Sequence, residues 1–168
     1  MGYMRKRGFE VVKGFENKDI NLPKRQTKNA AGYDFESAEP VTIEPIWKHL
    51  YDLFKKKAKG EEIDDTILKP ALVPTGVKSY MQPDEVLYLY NRSGNPLKKF
   101  LLLGNGAGVV DSDYEGEIKF QFINFGFRAI KINKNERIGQ GVFSTFLKAD
   151  GDQAEGERGE GGFGSTGN

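Results

Sequence analysis

The residues of this chain with chemistry to offer fall in five short stretches, set between runs that read as strands. The segment Arg158-Gly-Glu-Gly-Gly-Phe-Gly-Ser-Thr-Gly167 carries one guanidinium, one aromatic ring and two adjacent hydroxyls, spaced by glycines. An arginine fork matches phosphate oxygens. Ser165 and Thr166 can donate to the same oxygens, and Phe163 offers a flat face to a base. Glycine gives up the most backbone freedom on ordering, so such a run is expected to stay mobile until a ligand holds it. The combination reads as an arm that closes over a nucleotide. Taken alone, a frayed glycine-rich end is the better account.

The stretch Gly108-Val-Val-Asp-Ser-Asp-Tyr-Glu-Gly-Glu117 gathers four acids around a tight turn. Asp111, Asp113 and Gly116 occupy positions one, three and six of a calcium loop, but the twelfth, which must be a bidentate glutamate, is Phe122. A carboxylate at a strand end beside an aromatic ring remains a candidate general base. Three further stretches combine turn residues with polar groups. Ala30 to Phe35 sets a small-residue turn before Tyr33 and Asp34; Asn91-Arg-Ser-Gly94 joins a cation, a hydroxyl and free backbone N–H groups; Asn135 to Gln140 ends in an amide donor. A turn followed by a strand explains each of these alone.

Other chemistries are excluded. Gly162-x-Gly164-x-x-Gly167 has the dinucleotide-binding spacing, but no strand pattern leads into it and no helical pattern follows it in this sequence. The single histidine, His49, lies in a charged, helix-like stretch. That leaves too few ligands for most transition-metal sites and no base for a serine triad. With no cysteine, disulfides and thiolate catalysis are absent. Base work therefore falls to a carboxylate.

The 168 residues suit one compact domain. Lys and Arg number 25 against 24 Asp and Glu, a formal charge of +1, so no global field points to nucleic acid or membrane. No apolar run is long enough to cross a bilayer, and the basic start lacks the apolar core of a secretion signal. A cytoplasmic protein is expected, in the host cytoplasm if a phage encodes it.

Short runs at 9–13, 41–43, 71–73, 86–90, 100–103, 117–123, 128–132 and 142–147 read as strands broken by Gly, Pro, Asn and Asp. The alternation is cleanest in Glu117 to Ile123. Many short strands argue an all-β sandwich or barrel. One segment differs: Pro45 to Lys59 sets Trp47, Leu50, Tyr51, Phe54 and Ala58 at helical spacing, with Pro45 near its start and Gly60 placed to cap its end. A surface helix lying on the sheet is the favoured reading; an insertion that recruits a partner is the other.

In order along the chain, the five stretches resemble the five motifs of the trimeric dUTP diphosphatase (dUTPase) family. Ala31-Gly-Tyr-Asp-Phe35 resembles the first, Arg92-Ser-Gly94 the second and Gly108-Val-Val-Asp-Ser-Asp-Tyr114 the third. Glu136-Arg-Ile-Gly-Gln140 resembles the fourth and Arg158 to Gly167 the fifth. The resemblance implies an all-β jelly-roll domain over residues 1–150 with a helical insertion at about 46–69, and a flexible arm over 151–168 that closes on the active site. It implies a homotrimer with shared sites, hydrolysis of dUTP to dUMP and pyrophosphate, and Mg2+. On the same resemblance, Asp111 would deprotonate the attacking water and Tyr114 would pack on deoxyribose and exclude a 2′-hydroxyl. Asn105, near Gly108, would help read uracil. Arg92, Ser93, Gly94 and Gln140 would hold the phosphates. Arg158, Ser165 and Thr166 would grip the γ-phosphate, with Gly164 allowing close approach while Phe163 stacks on the base. Asp34 would sit on the metal side, reaching Mg2+ through water.

Departures from the family pattern are Glu115 after Tyr114, Asn95-Pro96 after Gly94, and Gly139 and Gly141 around Gln140, which are expected to loosen that strand. Two rivals follow. The related dCTP deaminase design needs a glutamate shuttle where this chain has Gln121, and an amide cannot shuttle protons in that way. A regulatory scaffold would instead capture a protein partner through residues 46–69, using Trp47, Tyr51 and Phe54; a sizeable exposed aromatic patch would favour it.

Overall fold

A computed structural model describes residues 5–156 and 158–162; Phe163, Gly164, Ser165 and Thr166 lie outside the described residues. The strands are β1 (Gly8–Val11), β2 (Tyr33–Glu36), β3 (Val41–Ile43), β4 (Ala71–Pro74), β5 (Val77–Tyr80), β6 (Glu85–Asn91), β7 (Leu101–Leu103), β8 (Gly108–Asp111), β9 (Lys119–Asn124), β10 (Ile130–Ile132) and β11 (Arg137–Thr145). Two helices interrupt them, α1 (Ile46–Ala58) and α2 (Gly94–Lys99), and a 3-10 turn spans Asp65–Leu68.

Every strand pairing is antiparallel, in the orders β2-β11-β6-β8, β4-β9-β7, β1-β5 and β10-β3. The period-2 pattern read at 117–123 reappears in β9, where Phe120, Phe122 and Asn124 are buried and the alternate residues are half-buried. Those rings join Phe35, Leu87, Leu101, Ile118 and Val73 in one core. Phe9 meets Phe35 edge-on at 5.3 Å, and Phe35 meets Phe120 at 5.6 Å. Gly139 and Gly141 do not loosen β11. A Cβ on Gly139 would lie 2.0 Å from the Phe120 ring, and one on Gly141 2.8 Å from Phe35. The glycines are the sockets into which these rings pack.

The helix α1 follows the sequence reading closely: Pro45 is its N-cap and Gly60, at φ +71°, takes up the left-handed turn after it. Its expected apolar face is only loosely held. No α1 residue is buried, and Tyr51 and Phe54 are 65% and 69% exposed. The inner side of the helix instead carries Ile46 and His49, which line a cleft with Thr42, Leu68, Pro70 and Phe122. Trp47 anchors the start of α1 sideways, its Nε1 donating to the Phe125 carbonyl at 3.0 Å. Among the described residues no helix is long and apolar enough to cross a membrane.

Strands β2, β5 and β8 and the helix α2 were not legible as elements in the sequence. Each is short, and β2, β8 and α2 lie within or beside the polar motifs, where turn residues mask the strand or helix pattern.

Candidate active site

The β6–β8 pairing sets Asp111 opposite Val86 and Gly108 opposite Leu89. Beyond Asp111 the chain turns, and Tyr114 folds back with its hydroxyl donating to the Glu117 carbonyl at 2.9 Å. Its ring is buried because Gly116 and Gly162 stand against it; a Cβ on Gly116 would fall 2.6 Å from the ring carbon Cζ. That burial pushes the phenol above its ordinary pKa, and the nearby Arg158 cation opposes the shift. Asn105, Gly108, Tyr114, Glu117, Arg158 and Gly162 border a cleft of about 200 Å³, which Gln121 and Lys119 also line from the outer face of β9.

Residues 158–162 lie along this hairpin. The Glu115 N–H donates to the Gly159 carbonyl at 2.8 Å, and the Arg158 N–H donates to Asp113 Oδ2 at 3.1 Å. The Arg158 guanidinium pairs with the Asp111 carboxylate, donates from Nε to the Gly161 carbonyl at 2.9 Å, and lies 5.6 Å from the Tyr114 ring centre. The base candidate and the arm's cation are thus in contact.

A second polar group forms where β2, β6 and β11 meet. Gln140 stands opposite Asp34 on one side and Tyr90 on the other, and its Nε2 donates to the Asn91 carbonyl at 3.3 Å. Arg137 Nη1 donates to Asp34 Oδ2 at 3.2 Å, Arg92 Nε lies 3.9 Å from Asp34 Oδ1, and Arg92 Nη1 donates to the Arg137 carbonyl at 3.1 Å. Ser93 and Gly94 follow at the start of α2. The buried Asn95 fixes that start, its Nδ2 donating to Asn91 Oδ1 at 2.7 Å and to the Ile138 carbonyl at 2.8 Å. The departure at Asn95-Pro96 therefore has a packing role.

Asn105, Gly108, Asp111, Tyr114 and Arg158 come together, and so do Asp34, Arg92, Ser93, Gly94 and Gln140; among the described residues no hydrogen bond or ion pair joins Asp111 to the second group, while Gly108, opposite Leu89, lies nearer to it. Asp111 pairs with Val86 near the start of β6 and Arg92 follows its end. Six residue rises separate those points, about 20 Å at the usual spacing. Arg137 received no role from the sequence. It stands inside the quoted Glu136 to Gln140 motif, and the signal that could have found it is a cation three residues before the amide donor.

Antiparallel sheets around one core, with a carboxylate and a tyrosine-walled cleft on one hairpin and paired guanidinia where β2, β6 and β11 meet, make this an all-β protein with two polar groups on one sheet. The model of the dUTPase family matches residues 62–167. The chain is 47% identical to the deoxyuridine 5′-triphosphate nucleotidohydrolase of Lactococcus lactis, over 98% of this chain and 99% of that one. It is 35% identical to the nucleotidohydrolase of the same name from Nautilia profundicola, over 90% and 94%. The crystal structure of dUTPase from Streptococcus mutans aligns at a TM-score of 0.67 and 39% identity, covering 86% of this chain and 99% of that one. The chain belongs to the dUTPase family, the dUTP diphosphatases, and its fold is the all-β jelly-roll with a short added helix.

Proposed function

We propose that this enzyme hydrolyses dUTP to dUMP and pyrophosphate by in-line attack of a water on the α-phosphorus, with Asp111 as general base. Asp111 takes the water's proton as the new P–O bond forms. The bond from the α-phosphorus to the bridging oxygen breaks, and pyrophosphate leaves. Tyr114 walls the cleft on the deoxyribose side, and Asn105 with Gly108 reads the base edge. A pocket that pairs with uracil rejects cytosine because the wrong exocyclic group leaves buried polar atoms unpaired. Arg92, Ser93, Gly94 and Gln140 hold the phosphates. Residues 151–168 act as the arm, bringing Arg158, with Phe163, Gly164, Ser165 and Thr166, over the bound nucleotide. The single observation that supports this reading is the contact of Arg158 with Asp111 beside Tyr114.

Mg2+ bound with the triphosphate would supply charge neutralisation during the displacement. Among the described residues no three His, Cys, Asp or Glu side chains cluster as ligands, and Asp111 and Asp34 both face guanidinia. That donor set fits an ion carried mainly by phosphate oxygens and water.

The separation of the two polar groups along β6 supports a homotrimer in which Asp111 of one subunit serves the phosphate seat of another. The half-exposed outer residues Leu72, Leu102 and Ile123 of the β4-β9-β7 sheet give such contacts an apolar surface beside the cleft. Mixing inactive Asp111→Asn and Arg92→Gln chains after co-refolding should restore turnover; mixtures as inactive as their parents would sink the shared site. Pyrophosphate release across dUTP, dCTP, dTTP and UTP tests the substrate itself, and dUTP alone should be turned over rapidly. Deamination is not favoured, since Gln121 presents an amide to the cleft where a proton shuttle is needed.

The exposed Trp47, Tyr51 and Phe54 stripe on α1 favours one additional role, docking of a protein partner whose acidic segment meets Lys48, Lys55 and Lys57 beside the rings. Tyr51→Glu with Phe54→Glu should leave turnover unchanged and abolish binding to an array of acidic, aromatic-bearing peptides. An array that distinguishes nothing between the two proteins removes this role.

A further inference from the structure

Arg137 precedes Gln140 by three residues on β11, and a regular strand would send two such side chains to opposite faces. The register with β2 shifts between them, however: Arg137 lies opposite Glu36, yet Gly139 lies opposite Phe35, so β11 carries one extra residue. Ile138 and Gly139 are consequently both buried, and the alternation restarts with Arg137 and Gln140 outside. A bulge of this kind re-aims the side chain next to it. Here it turns a guanidinium toward Arg92, the cation already assigned to the phosphates.

Asp34 lies between the two. Its Oδ2 accepts from Arg137 at 3.2 Å and its Oδ1 lies 3.9 Å from Arg92 Nε. The Asp34 side chain is 15% exposed, whereas Arg92 and Arg137 are 35% and 44% exposed. The anion is therefore inside and the two cations outside it, open to a ligand. Glu36, the cross-strand partner of Arg137, is occupied by Asn21, whose Nδ2 donates to it at 2.8 Å. Neighbouring guanidinia repel, and a shared carboxylate offsets that repulsion while holding the two side chains near one another. A carboxylate hydrogen-bonded to one guanidinium and ion-paired with another is already engaged by cations of its own chain.

We infer that Asp34 is a positioning residue that holds Arg92 and Arg137 as a paired clamp on the phosphate chain, and that Arg137 binds phosphate directly. This rests on the reading of Arg92 and Gln140 as the phosphate seat. The clamp spans three strands and all its members come from one chain, so it is formed before any nucleotide arrives. Planar forks grip phosphate oxygens two at a time, which a lysine ammonium cannot reproduce.

The test is calorimetric binding of dUMP and of the α,β-imido analogue of dUTP to the full-length protein, wild type against Arg137→Gln, Arg137→Lys and Asp34→Asn. The Mg2+ concentration for half-maximal turnover is measured alongside. Arg137→Gln should weaken the analogue by about 10- to 100-fold and leave dUMP within about twofold, with Arg137→Lys recovering only part of the loss. Asp34→Asn should raise KM for dUTP with a smaller change in kcat and leave the Mg2+ midpoint where it is. Equal losses for dUMP and the analogue in both Arg137 variants would mean a merely structural role and overturn the inference. A Mg2+ midpoint displaced to higher concentration in Asp34→Asn would return that carboxylate to the metal. Wild-type protein that binds the analogue no better than dUMP would instead refute the phosphate seat itself.

Discussion

At one end of β6, Asp34, Arg137 and Gln140 are carried by neighbouring strands whose ladder fixes their spacing, and Arg92 directly follows β6. At the other, Asp111 and Tyr114 sit on a hairpin and meet Arg158 from residues that touch it through a few turn and arm hydrogen bonds. The first arrangement costs little further ordering when a ligand binds. The second joins a chemical group to a segment that must be held in place, and holding it draws on the ligand's binding energy. On the proposed roles, positioning of charge is built into the sheet, and the Arg158 cation is added through turn and loop contacts.

The contrast can be broken most severely at Asp111. Asp111→Asn should lower turnover about 10³-fold or more while the imido analogue still binds near wild-type affinity, read by single-turnover pyrophosphate release and calorimetry. Removing residues 158–168 should lower kcat by about 10²-fold, since a cation aimed at developing charge is lost, with dUMP affinity little altered. Full activity in that truncation would refute the closing arm. A stability effect comes next: Gly139→Ala drives a methyl into the Phe120 ring and should cost about 1–3 kcal/mol in denaturant unfolding. Phe120→Leu in the same chain should return part of it, a coupling that two independent sites would not show.

The smallest effect is pH-dependent and lies at the start of β6. Hydrogen bonds from Arg7 hold the buried Glu85 carboxyl below the usual carboxylate pKa, against the opposing influence of burial, and the Gln82 N–H donates to it at 3.1 Å. A depressed folded value means stability that is present above the unfolded value, about 4.3, and lost as pH falls through the folded one. Glu85→Gln should cost about 1 kcal/mol at neutral pH, since the half-exposed Arg7 stays hydrated when its partner is lost, and the gap between variant and wild type should close in acid. A gap unchanged between pH 7 and pH 3 would count against the ion pair.

Much of this was legible in the residues. The alternation of β9 marks an inward and an outward face in the sequence itself, and α1 is marked at both ends by Pro45 and Gly60. The motif residues of each group could be named because side-chain chemistry is local. Distance is not local. Nothing in the spacing of Arg92 and Asp111 along the chain says that a strand holds them apart, and nothing in Arg137-Ile-Gly-Gln140 announces a bulge, because that register is decided by β2. Gly139 and Gly141 read as weak points for the same reason: the rings that fill them lie elsewhere in the sequence. The outward turn of Tyr51 and Phe54 was hidden because helical periodicity identifies a face but not what it faces.

The length of β6 has a consequence for how the enzyme responds to its own abundance. Under the shared site proposed above, the reach of β6 between Asp111 and Arg92 makes catalysis a collective property, and specific activity should then decline on dilution as subunits separate. Lesions at subunit contacts could then silence chemistry while leaving every reacting group intact.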